Sequence, residues 1–312
     1  MAKPCILVSE AASSSLKSRL RKLRGTSEKA RLEDADGIHD MRVASRRLRA
    51  ALREHKVVFG KKAYADFQAH VRGVTSSLGK ARELDVCLDL LEERRRQVHG
   101  APRHGVIHLV KKLRTLRNAE SDKVVASAVS VDTPEFNRTL IEIFESIAAN
   151  KKCYLKNAAR RLTKGYGRLR NLHSLWTSTP SDDILHCIRV RFKKLRYACE
   201  IYAPLYGSEM EAFLMQLKNV QGTLGTWNDQ RILRNYAAAA VEGAPPRARE
   251  GIPVLVEAID GDIARLIEQF HTNAEGFFGL DQAERTVAFL GAPVISCCRT
   301  KGFDKTVFDA IT

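Results

Sequence analysis

The stretch HDMRVASRRLRAALR, residues 39–53, decides the fold of this chain because it carries two distinct helical faces. Its arginines recur every three or four residues and, at about 100° per residue, fall within about 60° of one another. These residues are Arg42, Arg46, Arg49 and Arg53. Met41, Leu48 and Leu52 fall on another face, about 100° away. The pattern predicts a helix with an apolar face for the core and a cationic face for an anion or for solvent.

The overall composition favours an anionic partner. The chain has 312 residues, a formal net charge of +16 and 44% hydrophobic residues. That hydrophobic content suffices for a packed core, whereas the charge indicates a nucleic acid, an anionic membrane surface or a polymer of phosphate as partner. Seven scattered cysteines without a CxxC pair argue against a disulfide framework. With neither a signal peptide nor an apolar run of membrane-spanning length, we expect a soluble, cytoplasmic protein that does not insert into a membrane.

A hydrophobic period of about 3.6 residues dominates the chain and predicts an all-α fold. The predicted helices span residues 11–33, 37–58, 61–99, 103–129, 134–175, 182–206, 208–241 and 250–279. Glycine and proline positions set their boundaries. Residues 280–312 are predicted to be weakly structured, so residues 281–312 form a C-terminal tail without an assigned role.

An internal repeat relates two halves of the chain. The segment IHDMRVASRRLR, residues 38–49, aligns with LHCIRVRFKKLR, residues 185–196, at an offset of 147 residues. Downstream, VTSSLGKARE, residues 74–83, aligns with VQGTLGTWND, residues 220–229, at an offset of 146 residues. Two matches at nearly one offset predict a duplicated four-helix unit with a pseudo-two-fold axis. The helical halves would cover residues of about 8–130 and 134–280.

The repeat also duplicates the cationic face. His39, Arg42, Arg46, Arg47 and Arg49 match His186, Arg189, Lys193, Lys194 and Arg196. A third row recurs every four residues between the halves and consists of Lys152, Lys156, Arg160, Lys164 and Arg168. The window 151–170 around it holds eight Lys or Arg and neither Asp nor Glu. Planar guanidinium groups and mobile ammonium groups both suit phosphate, so the rows predict a groove for a flexible polymer of phosphate.

At these residues the sequence resembles the CHAD family, the conserved histidine α-helical domain. The motifs that carry the resemblance are His39-x-x-Arg42-Val-x-x-x-Arg46-Arg47-Leu48-Arg49, Leu78-Gly79-x-x-Arg82-x-x-Asp85-Val86, Leu185-His186-x-x-Arg189-x-x-x-Lys193-Lys194-Leu195-Arg196-Tyr197 and Gln221-x-x-Leu224-Gly225-x-x-Asn228-Asp229. The resemblance spans residues 8–280 and implies two antiparallel four-helix bundles around a basic central cavity. It also implies binding of inorganic polyphosphate and recruitment to polyphosphate granules. No acidic, strand-rich CYTH pattern accompanies it, so a stand-alone member is expected.

The rows and the resemblance together give the expected polyphosphate ligands. They are His39, Arg42, Arg46, Arg47, Arg49, Arg53, Arg82, Lys156, Arg160, Lys164, His186, Arg189, Lys193, Lys194 and Arg196. Asp85 and the Asn228–Asp229 pair are interpreted as groups that orient these cations or bond to nearby backbone. No set of Asp, Glu or Cys residues stands with His39 and His186 at ligand spacing, so we expect neither a metal, a cofactor nor catalysis.

A general polyanion-binding or nucleic-acid-binding role is the alternative interpretation, supported by the net charge and the long basic helices. Aromatic residues make up 7% of the chain, and none alternates with the cations of the basic rows to stack on bases. No known DNA-binding motif occurs either. These features favour polyphosphate over nucleic acid. The oligomeric state is not predicted.

Overall fold

The computed structural model describes residues 7–148 and 153–293, and this part of the chain is built from α-helices. The helices are α1 (Val8–Gly25), α2 (Ser27–Arg31), α3 (Ala35–Glu54), α4 (Lys61–Gln97), α5 (Gly100–Asn118), α6 (Ser121–Ser130), α7 (Pro134–Glu145), α8 (Tyr154–Ser178), α9 (Asp182–Tyr202), α10 (Ser208–Ala239), α11 (Pro246–Phe278) and α12 (Leu280–Gly291). Short 3₁₀ turns follow α3 and α9. The predicted all-α fold is confirmed.

The long helix predicted over residues 134–175 is wrong, because two helices, α7 and α8, occupy this region. The Ser146 hydroxyl donates to the Ile143 carbonyl, 2.8 Å away, at the end of α7. The Ala148 amide then donates to the carbonyl of Val58, 2.9 Å away, instead of continuing the helix. Because this amide bonds to a distant carbonyl, it does not bond to the carbonyl four residues before it, and the helix does not continue. Lys152, the first residue of the third basic row, lies outside the described residues.

The prediction that residue 280 begins a weakly structured region is also wrong, since α12 packs on the main core. Leu290 is fully buried, and its carbonyl accepts a hydrogen bond of 2.8 Å from the Tyr206 hydroxyl. Ala283 is buried on the same helix. Gly279, in an extended conformation between α11 and α12, separates two helices that the sequence pattern did not resolve. The remaining residues of the predicted tail, from 294 onward, lie outside the described part of the chain.

Three contacts between equivalent residues mark the pseudo-two-fold axis. Leu7 and Cys153, 146 residues apart, form an antiparallel β-bridge. The rings of His55 and Tyr202, 147 residues apart, meet edge to face with centroids at 6.4 Å. Gly105 of α5 and Gly251 of α11, 146 residues apart, lie where these helices cross, and a Cβ on Gly105 would come 3.0 Å from the Gly251 carbonyl carbon. A residue touches its own equivalent only near the axis that relates them. These pairs support the predicted duplication.

Both halves contribute to each hydrophobic core. The larger core gathers buried residues from α1 through α4 together with residues from α8 through α12. The smaller core lies at the far ends of the long helices α4 and α10, which pack there with α5 and α11. Because α3 also contacts α9, the two copies of the cationic helix come together between the halves. This contact positions the candidate site.

Candidate functional site

The helices α3 and α9 each begin at a capped turn and bury one apolar face, which fixes the direction of the opposite face. The Asp34 carboxylate caps α3 by accepting from the Gly37 amide at 2.7 Å, and the Ser181 hydroxyl caps α9 by accepting from the Ile184 amide at 3.3 Å. Carboxylates and hydroxyls at this position satisfy amides that the helix leaves free. The buried faces are Ile38, Met41, Leu48 and Leu52 on α3 and Leu185, Ile188, Phe192 and Leu195 on α9. The basic faces of both helices are thereby held in place.

Cations from both halves meet in one central cluster, defined here as Arg42, Arg46, Arg82, Arg189 and Lys193. Burial, followed by the charges of Arg46, Arg189 and Arg82, lowers the pKa of Arg42 to about 10. Burial and the charges of Arg189, Arg46 and Arg42 lower the pKa of Lys193 to about 7. Burial and nearby like charges both disfavour the protonated form of a base, and the second contribution places these cations close to one another. The structure thus brings together five predicted ligands.

Several cations of the site bury hydrogen-bond donors that find no acceptor among the described residues. They are the Nε atoms of Arg42, Arg49, Arg189 and Arg231, and one terminal nitrogen of Arg53. A buried donor without an acceptor costs about 1–3 kcal/mol, and more when the group is charged. Such groups are rare in native proteins and call for a specific explanation. Their concentration along the predicted basic rows indicates a site shaped for an anionic acceptor.

His39 and His186 each lie beside cations of the central cluster. Burial, then the charge of Arg82, lowers the pKa of His39, while burial and the charge of Arg189 lower that of His186. The Asn228 side chain interacts with His186 and partly offsets its shift. Arg82 and Asn228 are themselves equivalent residues, 146 positions apart. His39 and His186 therefore lie near equivalent residues, Arg82 in the first half and Asn228 in the second.

A basic cleft of about 350 Å³ adjoins the cluster between the end of α3, α8 and α9. Its cations are Arg53, Arg160, Arg161, Lys164, Arg168, Arg191 and Lys194, and Glu54 is its acidic residue. Glu54 pairs with Arg161 at 2.5 Å. Arg49 connects the cluster with this cleft, because burial and the charges of Arg72, Arg53 and Arg46 together lower its pKa. Arg49 therefore lies near Arg46 of the central cluster and near Arg53 of the basic cleft.

Three further predicted ligands belong neither to the central cluster nor to the lining of the basic cleft. Arg47 pairs with Glu200 at 3.1 Å, and Arg196 pairs with the same carboxylate at 2.6 Å. Arg196 also donates to Gln221 at 2.8 Å. Lys156 is exposed on α8 but does not line the basic cleft. The roles of these three in ligand binding stay predictions.

The interpretation of Asp85 as a group that orients the basic rows is wrong, whereas Asp229 fits it. Asp85 accepts from Arg117 of α5 at 2.6 Å, an arginine outside those rows, because the distal helices α4 and α5 pack closely there. Asp229, by contrast, lies close enough to Arg189 and Lys193 that its charge offsets part of the lowering that burial causes in the pKa of both. Gly79 lies next to Arg42, where a Cβ would approach Nε to 4.0 Å. The motif that contains Gly79 thus packs against the motif that contains Arg42.

Sequence reasoning missed four cations of the site. Arg161 and Arg191 line the basic cleft, Arg72 lies near Arg49, and Arg231 lies near Arg189 and His186. Arg191 falls within the repeated segment, where its equivalent is Ala44, so the alignment itself gave no reason to select it. Arg231 stands 146 residues after Asp85 and reverses its charge. Only the tertiary packing places these four side chains on the site.

Metal and membrane chemistry find no support in the described residues. No group of three or more His, Cys, Asp or Glu side chains within residues 7–148 and 153–293 is arranged to hold a metal ion. Among the helices of the same ranges, none is both long and apolar enough to cross a bilayer.

Comparison with known proteins places the whole arrangement in context. The model of the CHAD domain family matches residues 14–238. Two uncharacterized proteins of Mycobacterium tuberculosis, MT2285 of strain CDC 1551 / Oshkosh and Rv2226 of strain ATCC 25618 / H37Rv, are each 24% identical to the chain over 220 residues. The alignment covers 66% of this chain and 40% of each relative, so the chain spans less than half of their length.

Solved structures share the fold at low sequence identity. The CHAD domain from the plant Ricinus communis superposes with a TM-score of 0.61 at 20% identity, over 95% of this chain and 95% of that one. PptA from Streptomyces chartreusis superposes with a TM-score of 0.64 at 13% identity, over 86% of this chain and 100% of that one. The helical arrangement described above is therefore one that these proteins also adopt.

Proposed function

The chain belongs to the CHAD domain family, and from this premise we propose that it binds inorganic polyphosphate along the central cluster and the basic cleft. The observation that carries the proposal is the set of buried guanidinium donors without acceptors at Arg42, Arg49 and Arg189 among the residues described. Phosphate oxygens supply both the missing acceptors and the missing negative charge. Arginine and phosphate make short, charge-assisted and often bidentate hydrogen bonds.

The extent of the positive surface favours a polymer over a single phosphate. Cations continue from Arg82 and Arg42 through Arg49 to Lys164 and Arg168 at the far side of the basic cleft. A single phosphate would satisfy one or two of them, whereas a chain of phosphates reaches them in succession. Each neutralised phosphate releases counter-ions, so affinity for a chain falls steeply with salt concentration.

We propose that this binding involves no catalysis. Hydrolysis of a phosphoanhydride bond assisted by metal ions requires acidic ligands that hold the metal. Within the described ranges Glu54 and Glu200 are engaged in ion pairs with Arg161 and Arg47, and Asp229, which lies beside Arg189, accepts a hydrogen bond from Asn228. Incubation of the protein with long-chain polyphosphate and Mg²⁺ or Mn²⁺ should release no orthophosphate. Sustained release would contradict this part of the proposal.

Nucleic acid is the competing ligand, and the placement of the aromatic side chains argues against it. Tyr197 and Trp227, two aromatic residues beside the cationic helices, are buried with arginines over their rings. Tyr64 lies near Arg49 and Arg53, is half-buried, and has the Lys56 ammonium over its ring. Binding of single strands commonly uses exposed aromatic rings on which bases stack. We propose that the site favours the bare phosphate chain, and that this preference recruits the protein to polyphosphate granules in the cell.

Elution from immobilised ligands tests the choice between polyphosphate and nucleic acid. The protein is loaded in parallel on long-chain polyphosphate and on single-stranded DNA, and a salt gradient is applied to both columns. The proposal predicts that the protein stays on polyphosphate at salt concentrations that release it from DNA. Elution from both columns at the same salt concentration would mean that affinity depends only on total charge. Polyphosphate would then not be the specific ligand.

A further inference from the structure

The basic cleft has a pseudo-symmetric counterpart on the other side of the molecule. A second cleft of about 340 Å³ lies between α1, the middle of α3, the end of α9 and α10. Its lining residues Ser15, Ser18, Lys22, Arg47 and Glu200 correspond to residues of the basic cleft. Their equivalents there are Arg161, Lys164, Arg168, Lys194 and Arg53, at offsets of 146 residues for the first three and 147 residues for the last two. The duplication thus produced two related clefts.

The two clefts differ strongly in charge. The basic cleft is lined by seven Lys or Arg side chains and one Glu, whereas the second cleft is lined by four Lys or Arg side chains and one Glu. Two positions that carry Arg161 and Lys164 in the basic cleft carry Ser15 and Ser18 in the second. The second cleft therefore has fewer positions that could contact a phosphate chain.

Glu200 changes the second cleft further, because a carboxylate stands where the basic cleft has the Arg53 guanidinium. One carboxylate oxygen lies 3.1 Å from Arg47 Nε, and the other lies 2.6 Å from a terminal nitrogen of Arg196. Its charge also acts on Arg19, which lines the same cleft. Only 18% of the Glu200 side chain is exposed. The carboxylate therefore already makes the contacts that a phosphate oxygen would make in this position.

We infer that a bound polyphosphate chain leaves the central cluster through the basic cleft alone, and that Glu200 acts as the built-in anion that keeps the chain out of the second cleft. This inference rests on the proposed function. In the basic cleft the equivalent pair is Lys194 and Arg53, two cations, and burial with the charges of Arg191 and Arg53 lowers the pKa of Lys194. Arg53 has Glu54 as an acidic neighbour, with its Nε 3.4 Å from the carboxylate, whereas Lys194 has no ion pair among the described residues. In the second cleft the equivalent pair, Arg47 and Glu200, is an ion pair that needs no ligand. Each protein molecule thus binds one polyphosphate chain, which extends to only one side of the pseudo-two-fold axis.

Lysine labelling on the intact protein tests this inference directly. Each cleft has two exposed lysines, Lys164 and Lys194 in the basic cleft and Lys22 and Lys218 in the second cleft. An amine-acylating reagent is applied with and without long-chain polyphosphate, and the modification of each lysine is read by mass spectrometry. Lys29, exposed on α2 and part of neither cleft, reports unspecific protection. We expect several-fold protection of Lys164 and Lys194 and unchanged labelling of Lys22 and Lys218.

The Glu200→Gln variant supplies the second half of the test. It removes the charge with little change in shape, so the chain should gain access to the second cleft and protect Lys22 and Lys218 as well. Equal protection of both clefts in the unmodified protein would overturn the inference while leaving polyphosphate binding intact. Unchanged labelling of Lys22 and Lys218 in Glu200→Gln would also overturn the role of Glu200. Absence of protection at all four lysines would instead overturn the proposed function itself.

Discussion

Arg42 and Arg189 occupy equivalent positions in the two halves, and each buries an Nε that donates to no acceptor in the described part of the chain. Burial lowers the pKa of both guanidinium groups, and the charge of Arg189 adds to the lowering at Arg42. Two buried cations that repel each other and leave donors without acceptors raise the free energy of the folded protein. We therefore expect phosphate oxygens to bind at this pair.

Replacing the pair should weaken binding without weakening the fold. In the Arg42→Ala/Arg189→Ala variant, each lost charge-assisted hydrogen bond costs about 1.5–3 kcal/mol of binding free energy, so affinity for long-chain polyphosphate should fall by about 100-fold or more. The melting temperature should stay the same or rise, because the variant removes two unsatisfied, mutually repelling groups. Calorimetric titration and thermal melting measure both quantities.

The matched control for this variant is Arg247→Ala, which removes one exposed cation at the start of α11, far along the chain from the basic rows. Its affinity should change by about twofold at most, as expected for long-range charge screened by salt. A double variant that unfolds, or that binds as tightly as the control, would mean that Arg42 and Arg189 serve the fold and not the ligand.

Binding at alkaline pH should take up protons through Lys193. The pKa of this residue is about 7 in the free protein, lowered from 10.5 by burial and by neighbouring arginines. A bound phosphate chain raises that pKa again, so at pH 8.5 the neutral amine becomes protonated on binding and affinity falls as pH rises from 7 towards 10. Calorimetry in buffers of different ionisation enthalpy should detect an uptake approaching one proton. The Lys193→Met variant should take up markedly less, and equal uptake in both proteins would exclude Lys193 as the source.

His55 should make the fold sensitive to acid. Its side chain is fully buried beside Tyr154 and Tyr202, and burial with the charges of Arg19 and Arg161 lowers its pKa from 6.5 to about 3. Below pH 6.5 the unfolded chain binds this proton and the folded protein does not, so this residue alone lowers the free energy of unfolding by roughly 3 kcal/mol between pH 7 and pH 4. Urea denaturation of His55→Phe should show a smaller loss over this range. Identical pH dependence in the two proteins would refute the assignment.

The crossing of α5 and α11 should not tolerate a side chain at Gly251. A Cβ there would come 1.8 Å from the Ala101 carbonyl oxygen, which forces the two helices apart at the axis. We expect Gly251→Ala to lower the free energy of unfolding by about 3 kcal/mol or more, at or beyond the upper end of what overpacking usually costs. Gly222→Ala in α10 is the control, because a Cβ there meets nothing within 4 Å. That variant should gain about 0.5–1 kcal/mol of stability from helix propensity, and a similar effect of both substitutions would rule out the close crossing.

The sequence predicted the duplication well because repeated motifs require no tertiary information. The hydrophobic period predicted the all-α fold, and two aligned segments predicted that α3 and α9 are equivalent helices. The break between α7 and α8 and the helix α12 escaped prediction for a physical reason. The first depends on a backbone hydrogen bond from Ala148 to Val58, and the second depends on packing of Leu290 against the core, and both are long-range contacts.

The sequence identified most cations of the site but not the acidic residues that pair with some of them. The i,i+4 spacing of Arg196 and Glu200 is visible in the sequence and indicates a helical ion pair. The pairing of Glu200 with Arg47, 153 residues away, is visible only after the halves have packed together. The same packing decides which arginines bury unsatisfied donors. A basic row in a sequence therefore identifies candidate ligand-binding cations, and tertiary contacts decide which of these cations lack an acidic partner.

The most direct measurement of polyphosphate binding is a calorimetric titration of the intact protein with long-chain polyphosphate at two salt concentrations, with single-stranded DNA and orthophosphate as controls. We predict tight, stoichiometric binding of the polymer that weakens with salt, together with much weaker binding of DNA and of single phosphate. Binding of DNA and polyphosphate with equal strength at both salt concentrations would contradict a specific polyphosphate site and make the basic rows a general surface for polyanions.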